Sequence, residues 1–251
     1  MTIKTQGLTF AYADVPLFNN LCVSFNNIKK PLVILGPSGS GKTTLLKLLA
    51  GLLKPQEGEV KLLEHDLDER VEDESVQDEA PKIAIMFQEP RLLPWLTVLE
   101  NTSLPLVKIF GREEARRRAL YFLSLVSLEE KALSYPGELS GGQAQRVSMA
   151  RAFAWPAPVL LMDEPFQSLD IPLRLNLMDL TLSLLEKEKR LLIAVMHDPH
   201  DAIYMGERII VLGQPGEGIV FDRFVNPDNG NGVYRSLRSS ELESDIIRSL
   251  G

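Results

Sequence analysis

The segment at residues 36–43 restricts the fold of this chain more than any other part of its sequence. It reads Gly-Pro-Ser-Gly-Ser-Gly-Lys-Thr and matches the pattern G-x-x-x-x-G-K-[ST] in full. A strand-like apolar run at residues 32–35 precedes it and an apolar helical stretch at residues 45–50 follows it, which favours a phosphate-binding loop over a simple glycine-rich turn. The glycines permit a tight wrap with inward amides, Lys42 reaches the phosphates, and the Thr43 hydroxyl serves Mg²⁺. The sequence therefore predicts an α/β fold with a nucleotide phosphate site.

A second glycine-containing motif, Leu-Ser-Gly-Gly-Gln at residues 139–143, precedes another apolar helical stretch at residues 147–153. Glycines at a helix start let backbone N–H groups approach a ligand closely, and the first-turn amides together with the helix dipole favour an anion there. The chain thus carries two predicted phosphate sites, although its chemistry points to one nucleotide.

Composition excludes several classes of protein. The 251 residues suffice for one large or two small domains, with 45% apolar and 24% charged residues as in soluble globular proteins. No apolar run approaches the roughly eighteen residues that span a bilayer, and residues 1–20 lack a secretory signal. The single cysteine, Cys22, excludes a disulfide framework and a cysteine-built zinc site. A net charge of −7 argues against broad nucleic-acid binding. Taken together, these features lead us to expect a cytosolic chain.

Hydrophobic patterning outlines the organisation of the chain. Residues 2–25 alternate apolar and polar in two runs, as half-buried antiparallel strands do. Further strand-like runs lie at residues 58–63, 82–87, 159–162 and 191–196. Their alternation with helical stretches predicts a parallel sheet wrapped by helices. A mostly helical block at about residues 91–157 looks inserted into that core.

Three other segments carry weaker predictions. Residues 64–79 hold nine acidic residues against one arginine, which is typical of a solvated surface segment, and we assign it no function. Arg116, Arg117 and Arg118 are expected to form a solvated helix face. Ser240 and Glu243 fit a capping box, which predicts a short helix in the tail at residues 226–251.

Polar side chains follow three of the predicted buried strands. Asp163 and Glu164 come after the strand at residues 159–162, at the strand end where open α/β sheets bind ligands. There Asp163 would hold Mg²⁺ and Glu164 would polarise an attacking water, unless the two acids merely cap the next segment. Gln88 could touch both Mg²⁺ and water. His197 could donate to the γ-phosphate, although a histidine at a strand end is more often structural.

The order of these motifs, followed by Leu169-Asp170 and then His197, is similar to that of the ATP-binding cassette family over residues 1–225. The resemblance implies a P-loop NTPase with a parallel-sheet core, an N-terminal antiparallel β subdomain and an inserted helical subdomain. In this family two ATPase domains pack head to tail. Each ATP lies between the phosphate loop of one domain and the Leu-Ser-Gly-Gly-Gln motif of the other. The two phosphate sites of one chain would then serve two different nucleotides.

The resemblance also implies roles for individual residues. Glu164 corresponds to the catalytic base, His197 to the switch histidine, and Asp170 to the aspartate that communicates across the dimer. Tyr12 would stack on adenine, with a core aromatic as the alternative. The residues that would bind ATP in the phosphate loop are Gly36, Pro37, Ser38, Gly39, Ser40, Gly41, Lys42, Thr43 and Thr44. Those that would reach the partner's ATP are Ser140, Gly141, Gly142 and Gln143, and those that would hold Mg²⁺ are Thr43, Gln88 and Asp163.

One short stretch departs from the family pattern. Relatives often have serine and then alanine where this chain has Gln167 and Ser168. We expect this difference to alter no reacting group.

Residues 87–101 resemble importer ATPases of the nitrate, sulfonate and taurine group, as does Pro215-Gly216. Such an ATPase hydrolyses ATP at the cytoplasmic face of the membrane as a peripheral subunit. The resemblance implies that it works with a second ATPase, expected to be identical, with a membrane permease and, indirectly, with an extracytoplasmic solute-binding protein. Leu92, Leu93 and Trp95 would receive a coupling helix of the permease, unless they simply pack the helical block.

Two other function classes compete with import. An export or envelope-remodelling ATPase would share the same core. A soluble cassette acting on nucleic acid or ribosomes usually has two fused cassettes, zinc-binding cysteines or long coiled-coil arms. One cassette with one cysteine and an acidic balance fits that class poorly, so we expect no nucleic-acid partner.

Overall fold

A computed structural model describes residues 1–13, 15–26, 31–63, 82–167, 169–225 and 237–250. The acidic segment at residues 64–79 lies outside these ranges. The chain divides into two compact units, one formed by Met1–Ala80 with Leu185–Gly251 and the other by Pro81–Leu184. No helix within the described ranges is both long enough and apolar enough to cross a bilayer.

The first unit contains an antiparallel sheet of three strands in the order β2-β1-β4. Its strands are β1 Thr2–Tyr12, β2 Val15–Phe25 and β4 Glu57–Leu63. Ile3, Leu8 and Phe25 are fully buried, whereas Gln6 on the same sheet is exposed. This alternation buries one face of the sheet, and it confirms the predicted N-terminal antiparallel region.

The first unit also contains parallel strands around β3 Leu32–Leu35. This strand pairs in parallel with β7 Leu191–Val195 and with β8 Arg208–Leu212, and β9 Ile219–Phe224 runs antiparallel to β8. The residues of β3 and β7 are all buried, as expected for parallel strands covered on both faces. The helices of this unit are α1 Lys42–Leu49, α7 Pro199–Met205 and α8 Leu237–Ser249.

The second unit pairs β5 Ile83–Met86 in parallel with β6 Val159–Asp163. Its helices are α2 Val98–Ser103, α3 Val107–Phe110, α4 Arg112–Leu125 and α5 Gly141–Ala154. Short 3₁₀ turns occupy Leu104–Leu106, Glu129–Lys131 and Pro136–Glu138. A further helix, α6 Ile171–Glu188, spans the division between the units. The α/β P-loop fold is confirmed, and the helical block at residues 91–157 stays a prediction as a separate subdomain.

The C-terminal helix α8 packs against α7 and β9. Ile246 is fully buried, His200 Nε2 lies 3.1 Å from Glu243 Oε1, and Arg223 Nη1 lies 2.8 Å from Asp245 Oδ2. Ser240 lies inside the helix, and the Glu243 carboxylate meets His200. The predicted capping box at Ser240 is therefore wrong, although the helix itself is present.

The docking of α8 can be tested with neighbouring isoleucines. Ile246→Ala removes buried side-chain volume and should lower the free energy of unfolding by about 2–5 kcal/mol. Ile247 is half exposed on the same helix, so Ile247→Ala should change it by no more than about 0.5 kcal/mol. Urea denaturation measures both values, and equal losses would contradict this placement of α8.

Candidate nucleotide site

The phosphate loop of the first unit connects β3 to α1. Lys42 folds back across the loop, and its Nζ donates to the carbonyl oxygens of Gly36 and Pro37, each at 2.8 Å. Ser40 is buried, and its Oγ has no hydrogen-bond partner among the residues that the structure describes. A buried hydroxyl without a partner costs free energy unless a ligand satisfies it. The loop therefore fits an anionic ligand.

Two glycines of the loop have no room for a side chain. At Gly41, where φ is +94°, a Cβ atom would lie 2.9 Å from Cζ of Phe18. At Gly36 a Cβ atom would lie 2.7 Å from the carbonyl oxygen of Leu212. Since both the backbone angle and the neighbouring atoms exclude other residues, glycine is required for this path of the chain.

His197 follows the strand next to the phosphate loop. Ile34 of β3 pairs with Val195 of β7, and the N–H of Met196 donates to the carbonyl of Ile34 at 3.0 Å. Parallel strands end at one edge of a sheet, so the exposed His197 lies at the edge where the phosphate loop begins.

Tyr12 ends β1 of the same unit. Its side chain is 50% exposed and meets Phe10 edge-on, with ring centroids 5.0 Å apart. This exposure excludes the alternative that Tyr12 is a core aromatic. The ring offers an open face on which a planar ligand group could stack.

The second unit brings Gln88 and Glu164 together. Met86 of β5 pairs with Met162 of β6, and two residues beyond that pair Nε2 of Gln88 donates to Oε2 of Glu164 at 3.1 Å. Asp163, the last residue of β6, is only 2% exposed. The strand register thus brings together the Gln88 amide and the Glu164 carboxylate, which lie 76 positions apart in the chain.

The backbone of Glu164 is in the left-handed region, with φ at +48°. Its carbonyl oxygen accepts from the backbone N–H of Gln167 at 3.4 Å and from Nε2 of Gln145 at 3.5 Å. The intervening Phe166 is buried. A non-glycine residue keeps such a conformation only where its surroundings hold it, and these contacts do so.

The Leu-Ser-Gly-Gly-Gln motif caps its own helix. Ser140 Oγ accepts from the N–H of Gln143 at 3.3 Å, and Gln143 Oε1 accepts from the N–H of Ser140 at 2.8 Å. The first turn of α5 contains no acidic residue, and a Cβ atom at the exposed Gly141 would meet nothing within 4 Å. The positive end of the helix dipole is therefore open to an anion.

Asp170 directly precedes α6. Its Oδ1 accepts from the N–H of Leu173 at 3.0 Å. Burial lowers the pKa of the Arg146 guanidinium, and the charge of Asp170 acts in the opposite direction. Asp170 thus stabilises a helix start and the cation of Arg146.

Sequence reasoning missed Arg151 and Gln145 of α5, and the contact of Gln167. Arg151 Nη2 donates to the carbonyl of Pro90 at 2.6 Å, and its Nη1 to that of Arg91 at 3.1 Å. Burial lowers the pKa of Arg151. The only sequence indication for Arg151 was a charged residue inside an apolar helical stretch. For Gln167 it was the departure from the family pattern.

Comparison with known proteins identifies the family. The family model described as ABC transporter matches residues 19–167. The aliphatic sulfonates import ATP-binding protein SsuB 1 of Paracoccus denitrificans is 37% identical, over 98% of this chain and 96% of its own length. The glycine betaine/proline betaine transport system ATP-binding protein ProV of Escherichia coli is 41% identical, over 74% of this chain and 46% of its own length.

A solved structure shares the fold. It is a dimeric ATP-binding cassette in a post-hydrolysis state, bound to ADP and Pi. It matches with a TM-score of 0.77 and 36% identity, over 89% of this chain and 99% of its own. Together with the two phosphate motifs, these matches show that the chain belongs to the ABC transporter family, as an ATP-binding and ATP-hydrolysing cassette.

Proposed function

We propose that this cassette is the energising subunit of an importer, which hydrolyses ATP to drive uptake of a small solute through a membrane permease. The Gln88–Glu164 hydrogen bond at the ends of two parallel strands carries the catalytic part of the proposal. The names of the relatives support import, since one serves aliphatic sulfonates and another serves betaines. A solute of the nitrate, sulfonate or taurine kind is the finer proposal. An export or envelope-remodelling role is the alternative.

The phosphate loop would bind the phosphates of ATP. Lys42 now donates to two neutral carbonyls, and a phosphate oxygen in their place would give a stronger, charge-assisted bond. The buried hydroxyl of Ser40 would gain a partner. His197 would donate to the γ-phosphate, and the exposed ring of Tyr12 would stack on adenine. Gly36, Ser38, Gly39, Gly41 and Thr44 would contribute mainly backbone N–H groups. Pro37 has no backbone N–H and would only shape the turn of the loop.

Thr43, Gln88 and Asp163 would hold Mg²⁺. They offer a hydroxyl, an amide oxygen and a carboxylate, which are the hard oxygen donors that this ion prefers. When bound, Mg²⁺ neutralises charge on the phosphates and so favours their transfer. Glu164 would take the proton of the attacking water on Oε1, because its Oε2 accepts from Gln88.

A second copy of the chain would complete each ATP site in a head-to-tail dimer. Ser140, Gly141, Gly142 and Gln143 would present the first-turn amides of α5 to the partner's ATP. The lack of acidic residues in that turn supports this role, and so does the dimeric state of the related solved structure. Asp170 would transmit the state of one site to the other.

Trp95 would contact the permease. It is 69% exposed, although the loop around it is fixed by Asn101, which is itself 2% exposed. Asn101 Oδ1 accepts from the N–H of Leu93 at 2.7 Å, and its Nδ2 donates to the carbonyl of Leu96 at 3.0 Å. A rigid loop that displays a large apolar side chain suits a partner surface. The chain would then lie at the cytoplasmic face of the membrane, with an extracytoplasmic binding protein delivering the solute.

Glu164→Gln tests the catalytic base. The amide oxygen still accepts from Gln88, but it cannot take a proton, so ATP turnover should fall about 10²- to 10⁴-fold while ATP binding persists. The control is Glu113→Gln, an exposed carboxylate on α4, which should hydrolyse ATP at the wild-type rate. Undiminished hydrolysis in Glu164→Gln would remove Glu164 from this role.

Ser140→Arg tests the head-to-tail dimer. The large cation should block the partner's ATP from the start of α5, so hydrolysis should be lost while the monomer binds ATP with unchanged affinity. Ser183→Arg, at an exposed position of α6, is the control and should keep full activity. A collapse of monomer affinity in Ser140→Arg would contradict the sandwich arrangement.

Co-purification from membranes tests the partners. A multi-span permease should be retained with the wild type and with Phe224→Ala, which removes an exposed aromatic ring of β9. Trp95→Ala should weaken retention by about tenfold or more, as truncating a central aromatic contact does. Equal retention by both variants would contradict the role of Trp95. Recovery of nucleic acid at moderate salt would instead favour the soluble class.

A further inference from the structure

Gln167 makes a contact that its place in the sequence does not indicate. Nε2 of Gln88 donates one hydrogen bond to Oε2 of Glu164 and a second to Oε1 of Gln167, both at 3.1 Å. An amide nitrogen carries two hydrogens, so both donors of Gln88 are used. The side chain of Gln88 is therefore held at one end by two acceptors.

These acceptors also determine whether the nitrogen or the oxygen of the Gln88 amide faces Glu164. A carboxylate oxygen accepts and cannot donate, so the end that faces Glu164 is the nitrogen. Its oxygen, Oε1, is turned away from both partners and makes no hydrogen bond to any residue that the structure describes. Only this oxygen end can ligate a cation.

The backbone on both sides of this contact is fixed. The guanidinium of Arg91 stacks on Phe87 at 3.9 Å, and Arg151 holds the carbonyls of Pro90 and Arg91. The backbone N–H of Gln167 donates to the carbonyl oxygen of Glu164. The remaining freedom lies in the side-chain torsions of Gln88, which the two hydrogen bonds restrict.

We propose that Gln167 is a positioning residue that orients the Gln88 amide, so that its nitrogen end is held and its oxygen end stays available to ligate a metal ion. Without Gln167 the amide keeps only its bond to Glu164 and can rotate about that bond. Rotation would turn Oε1 out of its ligating position for part of the time. This inference rests on the proposed role of Gln88 as a metal ligand.

The length of the Gln167 side chain matters because the acceptor lies at its end. A serine or an alanine at this position is too short to bring an acceptor to Gln88. Methionine has nearly the same length and flexibility as glutamine but offers only a weak sulfur acceptor. Gln167→Met therefore removes the strong hydrogen bond while it keeps the shape of the side chain.

The test measures metal affinity and turnover separately. The full chain is loaded with a non-hydrolysable ATP analogue, and Mn²⁺ binding is followed by electron paramagnetic resonance. Gln167→Met and Gln167→Ala should each weaken Mn²⁺ binding about threefold to tenfold, as the loss of one hydrogen bond predicts. They should lower kcat similarly and leave metal-free nucleotide affinity and Tm unchanged. Gln6→Ala, at an exposed position of β1, is the control and should match the wild type.

A double-mutant comparison separates this proposal from the one on which it rests. Gln88→Ala should weaken Mn²⁺ binding, and Gln88→Ala/Gln167→Met should be no weaker, because Gln167 acts through Gln88. Wild-type Mn²⁺ affinity in Gln167→Met, or losses that multiply in the double variant, would overturn the role of Gln167 alone. Wild-type Mn²⁺ affinity in Gln88→Ala would overturn the metal role of Gln88 and this inference together.

Discussion

Parallel strand pairing is the constraint on which the candidate site residues of each unit depend. Neighbouring parallel strands end at one edge of a sheet, so residues far apart in the chain meet where the strands stop. In the second unit the pairing of β5 with β6 gathers Gln88, Asp163 and Glu164. In the first unit the pairing of β3 with β7 sets His197 at the edge where the phosphate loop begins. Each reactive group therefore depends on backbone register before it depends on its own side-chain contacts.

The sequence was informative where a function needs particular residues at fixed spacing. The phosphate loop, the acids at the end of β6 and the helix after the Leu-Ser-Gly-Gly-Gln motif follow from local patterns. The structure has β3 and α1 on either side of the loop, β6 before Glu164, and α5 after the motif. Alternation of apolar residues was enough to predict the N-terminal antiparallel sheet. The roles of the individual site residues stay predictions.

What the sequence could not indicate depends on side-chain reach across the fold. The expectation that Arg118 belongs to a solvated face is wrong, since its Nε donates to the carbonyl of Ala154 at 2.7 Å. Arg151 and Gln167 likewise bind partners that lie 61 and 79 positions away in the chain. Such contacts follow from tertiary distances, and no residue spacing encodes them.

Helix α5 shows why these arginines are present. Irregular backbone next to a helix leaves carbonyl oxygens without partners, and each needs a donor. Arg146 Nη1 donates to the carbonyl of Val126 at 2.8 Å, and Arg151 donates to the carbonyls of Pro90 and Arg91. Arg118 donates to the carbonyl of Ala154, the last residue of α5. A guanidinium remains charged even when burial lowers its pKa, so these bonds persist over the physiological pH range.

The left-handed backbone of Glu164 has a consequence for how this chain can vary. That conformation costs roughly 1–2 kcal/mol for a residue with a Cβ atom, whereas glycine adopts it freely. Selection for stability alone would favour glycine at this position, and selection for a carboxylate opposes it. If Glu164 acts as proposed, the chain sacrifices stability at the residue on which turnover depends. A copy of the gene released from selection for hydrolysis would then be expected to lose this glutamate early and become more stable as it does.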